Sequence, residues 1–511
     1  MTSTGVSFIR FLWFLIIFFH ELVILKFFIL GNGCVNNSLN RNLFKSIANS
    51  FIGRLGVYIV QFASLVILSR IFVPTDFGMY AAVFSFFLLF QLIGEAGLGP
   101  AIINEGKIDK EERNNLFGNV VLFSIFVSAV FFLLSGALID FYGFEVGMEF
   151  SILFSLSIFF YSINVVPLSF LQSEKKFITI SMIEGGAEIF SLLVVFALCL
   201  LGKEPYYLAL KLTLYSFIRF TFIFFLSAET KQGRPNLSFK AWVIPKYWKF
   251  AKFQVGHSFV SYFSRNVDTV FVAKFFGAAV MGPYDRAYHL MRYPLILIAF
   301  SIAPAIQPVL RDNLEDREKV ITALRLLLIN LFLLSGIVSY FMYANAELII
   351  LIILGSQWSE VAIYLKLFSL SIPPQIVVGI SGGIFQAYEK GRELLLSSLI
   401  GAIFFGVAVL IGVLALDVEI MIILIVIAFY FHMFVCFYFL YVNVLGRRYM
   451  EFLLLFYYLF VPVFLIYMID YFFILPFNFY GFSYFLLLML ACLVVFLSFF
   501  ASVVKGVCGD E

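Results

Sequence analysis

The chain has 511 residues, of which 63% are hydrophobic and only 13% charged, with a mean hydropathy of +1.03. Soluble domains are nearer half apolar and a quarter charged, so no sizeable soluble domain is expected. The formal net charge of +3 excludes an electrostatic case for nucleic-acid binding. Cys34, Cys199, Cys436, Cys492 and Cys508 lack metal or redox spacing, and so do His20, His257, His289 and His432. No metal site and no cofactor are expected.

In chain order, residues 8–30 come first, apolar but interrupted by His20, Glu21 and Lys26. They read as an extra hydrophobic helix within a 1–40 extension. A signal peptide is the alternative, without a small-x-small cleavage site to support it. Stretches long enough to span a bilayer then lie near 44–69, 77–99, 116–139, 149–172, 178–201 and 205–227. A polar, basic link follows. Six more spans lie near 253–275, 286–309, 322–343, 361–387, 393–415 and 419–445, and a terminal pair near 450–470 and 481–504. The expected fold is all-α: about fourteen membrane helices, as two pseudo-symmetric six-helix lobes, a C-terminal pair and the N-terminal helix. The corresponding divisions are 1–40, 41–227, 228–252, 253–445 and 446–511.

Lysine and arginine alternate between loops in this register. Twenty-two fall on the side holding Arg41, Lys45 and the 228–252 link; only Arg70, Lys203, Lys274 and Arg286 fall on the other. Cytoplasmic loops are the cation-rich ones, so both ends of the fourteen-span body and the link are expected inside.

Residues 66–102 recur faintly 204 positions later. Val66, Phe72, Gly78, Tyr80, Pro100, Ala101 and Ile102 return as Val270, Phe276, Gly282, Tyr284, Pro304, Ala305 and Ile306, and Arg70 becomes Lys274. Each copy reads as a hydrophobic helix, a short turn and a second hydrophobic helix. Each lobe holds an even number of spans, so the repeats should be parallel, related by an axis along the membrane normal. Pro304, Pro308, Pro373, Pro374 and Gly379, Gly382, Gly383 are expected to interrupt spans.

Several segments carry a family resemblance, in order along the chain. F-V-P-T-D-F-G-M-Y (72–80), G-E-A-G-L-G-P-A-I-I-N (94–104), S-F-L-Q-S-E-K-K-F (169–177), R-N-V-D-T-V-F-V-A-K-F-F-G-A-A-V-M-G-P-Y-D-R-A-Y (265–288) and L-G-S-Q-W-S-E-V-A-I-Y-L-K-L-F-S-L (354–370) are the segments concerned. Together they resemble the polysaccharide exporters, the oligosaccharide flippases of the multidrug/oligosaccharidyl-lipid/polysaccharide superfamily. The subgroup exporting capsule, colanic-acid-like or teichuronic-acid-like polymers matches best. The resemblance implies a V-shaped, two-lobed transporter of the cell (inner) membrane with a central cavity. It implies an oligosaccharide on a polyprenyl pyrophosphate as the cargo. Polymerase and glycosyltransferases of the same pathway are the implied partners besides the bilayer.

Charges within a bilayer usually face a cavity or each other. Arginine binds pyrophosphate in a forked geometry. Arg54, Arg219, Arg265 and Arg292 are therefore the candidate substrate-binding cations. Glu95, Glu184, Glu188 and Asp268 are candidates for ion coupling or for pairing. Glu184 and Glu188 share a helix face at i, i+4, and Arg265 and Asp268 share one at i, i+3, where they can neutralise each other. Lys211 and Lys366 are long enough to snorkel to an interface.

Two rival functions stand beside the flippase. A multidrug cation antiporter of the same superfamily would need an acidic or apolar cavity, whereas the intramembrane cations here slightly outnumber the anions. A membrane glycan polymerase or ligase would need a substantial outer loop with catalytic groups. The loops at 140–148, 202–204, 276–285 and 416–418 are short, and no catalytic constellation is visible, so the chain reads as no enzyme. The topology is checked by single cysteines at 144 and 240 on a cysteine-free background. An impermeant thiol reagent added outside should label 144 and spare 240; the reverse pattern sinks the orientation.

Overall fold

In the computed structural model, which describes residues 38–105, 108–144, 147–240, 242–311, 317–454 and 456–457, the apolar stretches are helices, and no strand occurs among the described residues. The first half of the chain holds α1 (Ser38–Ile71), α2 (Pro74–Glu95), α3 (Leu98–Glu105) and α4 (Lys110–Tyr142). It continues with α5 (Met148–Ile163), α6 (Val165–Ser173), α7 (Phe177–Cys199) and α8 (Tyr207–Leu226). The second half holds α9 (Ile244–Arg311), α10 (Arg317–Ala344), α11 (Ala346–Ile353), α12 (Val361–Ser369), α13 (Ile372–Ala387), α14 (Gly391–Leu414) and α15 (Val418–Tyr438). Nine described helices or joined helices are long and apolar enough to cross a membrane, or ten with the bent pair α12–α13 counted as one span. The expected fourteen also drew on 253–275 and 286–309, the two arms of α9, which are not among these, and on the terminal pair 450–470 and 481–504. The residues of that pair, apart from 450–454 and 456–457, lie outside the described residues, as do residues 1–37 of the N-terminal extension.

The start of α2 explains the P-T-D motif. Pro74 opens the helix, where a missing N–H costs nothing. The Asp76 carboxylate accepts a hydrogen bond from the Val73 N–H at 3.1 Å, satisfying a donor just ahead of the first turn. Pro373 and Pro374 likewise open α13, where the expected 361–387 span bends by 53°. Pro304 and Pro308 do not end a helix; α9 runs through both.

The expected loop 276–285 is not a loop. The chain leaves helical geometry only at Gly277, whose φ of 78° and ψ of 175° suit glycine alone, and is helical again from 278. It folds back there. The Tyr284 hydroxyl donates to the Asp268 carboxylate at 2.7 Å, although sixteen residues of straight helix would separate the two by about 24 Å. Arg286, counted above as a cation of that loop, is therefore inside a helix and buried.

The two copies of the repeat meet each other. A Cβ at Gly78 would sit 1.9 Å from the Ala278 carbonyl oxygen, and one at Gly282 would sit 1.9 Å from the Pro74 carbonyl oxygen. Ala278 and Pro74 are themselves 204 residues apart. Contact i to j is matched by j to i, which is what a two-fold relation between the halves produces. Small residues let helix backbones approach where lipid supplies no hydrophobic drive to association.

Further contacts between the halves lie at the same end of the bundle, the end poor in charge, while at the charge-rich end Lys246 and Tyr247 of α9 reach Glu112 of α4. The α1 carbonyl of Ser69 accepts from the Trp358 indole N–H at 2.6 Å and from the Gln357 amide at 2.7 Å, and the Phe72 carbonyl also accepts from Gln357. The L-G-S-Q-W segment thus satisfies carbonyls that a helix end leaves unpaired. The Arg70 guanidinium reaches the Ile352 carbonyl, and the Lys274 ammonium reaches the Phe141 carbonyl. The matched cations of the repeat therefore each tie one half to the other.

Gly282→Val should force the crossing apart, at a cost of about 1–3 kcal/mol from overpacking. Its thermal midpoint in detergent is expected to fall by several degrees. Gly136→Ala, where a Cβ meets open space, should leave the midpoint unchanged. Equal midpoints for Gly282→Val and wild type would show that the crossing is not needed for the fold.

Candidate functional site

The break between α2 and α3 sets one wall of the site. Ala96 and Gly97 both take positive φ values, 47° and 63°, so the span kinks at Glu95. Irregular backbone at membrane depth is tolerated where it lines a cavity, and here it does. A cavity of about 420 Å³ is lined by Gln91, Glu95, Pro100, Tyr161, Gln172 and Arg219 among others, with Val255 of α9 closing one side. Its volume is in the range of ligand sites, ~300–1,000 Å³. The lining reaches Gln172, one residue short of the end of α6, at the charge-rich end of the bundle.

Four charged residues of this half pair within the bundle. On adjacent antiparallel helices α7 and α8, Arg219 donates from Nε and Nη2 to Glu184 Oε1 at 3.0 and 2.8 Å. Lys211 donates to Glu188 Oε1 at 2.5 Å. Of the two roles open to Glu184 and Glu188, the geometry displays pairing. Lys211 does not snorkel; it makes a buried rung of this ladder. The Arg219 guanidinium also lies 5.8 Å from the Tyr161 ring centroid, within reach of a cation–π contact. Glu95 accepts from the Gln91 amide at 2.8 Å and faces the same cavity.

In the second half, Asp268 has Tyr284 as its described partner. Arg265 lies on α9, but its side chain is outside the described residues. Arg292 is half-buried, with its guanidinium 6.0 Å from the Tyr288 ring centroid. Arg54 is exposed on α1. Neither Arg54 nor Arg292 touches a described carboxylate. Lys366 pairs with Glu347 at 2.7 Å.

Counted along their helices, Arg54, Arg219, Arg265 and Arg292 lie 11–17 residues from the charge-poor ends, or about 17–26 Å at 1.5 Å per residue. All four lie in the interior part of their helices, and no described contact joins them.

One group was missed by sequence reasoning. Arg286 donates from Nε and Nη2 to Asp285 Oδ2 at 3.1 and 2.6 Å, and stacks 4.3 Å above the Phe77 ring centroid of the other half. His289 Nε2 lies 3.4 Å from Asp285 Oδ1. The repeat held the signal. Arg286 aligns with Ala82, which is well inside α2, so the 204-residue offset already put Arg286 within a helix.

Two halves of membrane helices in close contact, the first of them enclosing a polar cavity, define a multi-pass membrane protein with the architecture of a transporter. The chain belongs to the family described as "Polysaccharide biosynthesis protein", which matches residues 67–363. A membrane protein of the cps region of Klebsiella pneumoniae is 22% identical over 365 residues, 69% of this chain and 73% of its own length. The succinoglycan biosynthesis transport protein ExoT of Rhizobium meliloti (strain 1021) is 22% identical over 327 residues, 64% of this chain and 65% of its own. Among solved structures, the lipid II flippase MurJ in an inward closed conformation superposes with a TM-score of 0.68 at 16% identity, covering 89% of this chain and 98% of its own.

The Glu184–Arg219 pair sits in side chains only 21% and 13% exposed. Removing one partner of such a pair strands the other and costs about 3–5 kcal/mol. Arg219→Ala should accumulate poorly in membranes, and Arg219→Ala/Glu184→Ala should recover much of the loss. A double variant as depleted as the single one would show that the pairing is not the cause.

Proposed function

We propose that the chain is a transporter of the inner membrane, not an enzyme, that flips a polyprenyl-pyrophosphate-linked oligosaccharide for surface polysaccharide synthesis by alternating access. The observation that carries this reading is the asymmetry of the bundle. The close glycine crossing of the halves lies near the charge-poor end, while a polar cavity runs toward the charge-rich end. With the charge-rich end cytoplasmic, this arrangement is an inward-facing one, ready to receive cargo made inside the cell.

The cargo has two chemically distinct parts, and the bundle offers surfaces suited to each. Amides, tyrosines, Glu95 and an already neutralised Arg219 suit the hydroxyls of a neutral glycan better than a pyrophosphate. Arg54 and Arg292, free of described carboxylates, suit the pyrophosphate, with Arg265 a third candidate. Arg219 is then a positioning residue of the glycan pocket rather than a phosphate ligand. Glu95 remains the candidate for ion coupling, and Asp268 a second. Polymerase and glycosyltransferases of the same pathway would supply and consume the cargo.

The test is reconstitution in liposomes with a fluorescent polyprenyl-pyrophosphate oligosaccharide, scored by how much label a membrane-impermeant quencher reaches. Wild type should raise that fraction above empty liposomes, and Arg54→Ala/Arg292→Ala should abolish the rise at normal protein levels. Flipping by that variant at wild-type rate removes the two arginines from the mechanism. Uptake of ethidium with no lipid flipping would favour the antiporter, and new glycan bonds formed by the purified protein would favour the polymerase.

A further inference from the structure

The segment joining the two halves, residues 228–243, is held more tightly than a tether needs to be. The Asn114 side-chain oxygen accepts from the Asn236 N–H at 3.0 Å. That of Asn115 accepts from the Ser238 hydroxyl at 2.6 Å and from the Lys240 N–H at 3.1 Å. That of Asn119 accepts from the Val243 N–H at 2.8 Å. Arg113 donates to the Gln232 carbonyl, Glu174 accepts from the Lys231 N–H, and Lys176 donates to the Glu229 carbonyl at 3.1 Å. The segment lies so close to α4 that a Cβ at Gly118 would sit 1.9 Å from the Ser238 carbonyl oxygen.

This clamping turns three large apolar side chains outward. Leu237, Phe239 and Trp242 are 60%, 55% and 60% exposed. Their depth is set by Gly118. One helical turn further along α4, about 6 Å, Leu122, Ile125 and Phe126 begin its exposed apolar face. The three side chains therefore stand at the rim of the apolar zone, where tryptophan and phenylalanine are favoured. In the same segment Lys231, Arg234 and Lys240 are exposed. The Arg234 guanidinium lies 5.7 and 5.6 Å from the Phe224 and Phe225 ring centroids, at the end of α8.

We infer that residues 231–242 are an interfacial anchor that binds the anionic lipid surface of the cytoplasmic leaflet. Apolar side chains enter the headgroup boundary, and the cations around them meet lipid phosphates. The asparagines of α4 fix the backbone so that this face cannot roll inward. The link thereby holds the first half at a set depth in the membrane. This inference does not depend on the identity of the cargo.

The test uses a cysteine-free protein labelled with an environment-sensitive fluorophore at Trp242→Cys. It is reconstituted in vesicles of phosphatidylcholine alone and of phosphatidylcholine with phosphatidylglycerol. Glu111→Cys, exposed in the first turn of α4, is the aqueous control in the same vesicles. Iodide should quench position 242 several-fold less than position 111, and a nitroxide lipid labelled near its headgroup should quench it strongly. The shielding should be greater with phosphatidylglycerol and should be lost in Lys231→Glu/Arg234→Glu/Lys240→Glu, checked for an unchanged thermal midpoint. Iodide quenching equal to that at 111 in both lipids overturns the anchor. Equal shielding in both lipids overturns the anionic assignment. Shielding that appears only when a soluble cytoplasmic fraction is added assigns the surface to a protein instead.

Discussion

The rest of the structure depends on the close crossing of α2 and α9 at Gly78 and Gly282. Lipid tails are as apolar as leucine, so two membrane helices gain little merely by hiding apolar surface from each other. What they gain comes from contact, and contact here requires that two glycines accept carbonyl oxygens where side chains would stand. Once the backbones are this close, the neighbours come within range. Phe77 reaches Trp358 with ring centroids 5.4 Å apart, Trp358 reaches the end of α1, and Arg286 settles over Phe77. Bulk at either glycine would remove that whole set, which is why these turn residues are the part of the repeat still readable.

Charge pairing is the second constraint. Bringing lysine, arginine and glutamate into the bundle is costly unless each finds a partner. Glu184, Glu188, Lys211 and Arg219 meet that demand on two neighbouring helices, and Asp285 and Arg286 meet it on one. Pairing changes what these groups can do next. On the proposed cargo, a guanidinium already holding a carboxylate would have a weaker claim on the pyrophosphate than Arg54 and Arg292, which touch no described carboxylate. Among the candidate cations, the distinction that matters is which ones already have a partner.

Much of the fold was legible because helix length and hydropathy are local properties. The spans at 178–201, 205–227 and 393–415 match α7, α8 and α14 within a few residues. Pro373 and Pro374 marked a real bend, and the Gly78/Gly282 match marked a real contact. The errors came where local signals compete. The polar run G-P-Y-D-R looked like an outer loop, yet it is helix, because its charges are neutralised by packing that sequence does not display. Pairing of Glu184 with Arg219 was one of two open readings and required knowing that α7 and α8 are adjacent. The exposed Leu237, Phe239 and Trp242 carried no helical or strand period to flag them. Their arrangement is imposed from outside, by three asparagines on α4.

Gly277 has one more consequence. A single residue separates the two arms of α9, and two residues, Phe72 and Val73, separate α1 from α2. Neither connection has any slack. The arms cannot slide along one another or part at the charge-poor end without breaking a helix. On the proposed transport cycle, each half then moves as a stiff unit, and the crossing at Gly78 and Gly282 leaves rotation about this end as the main freedom between them. Small angular changes there become large displacements at the far end. The shortness of two turns thus sets the gearing of the machine: a stiff fulcrum on one face of the membrane and a wide stroke on the other.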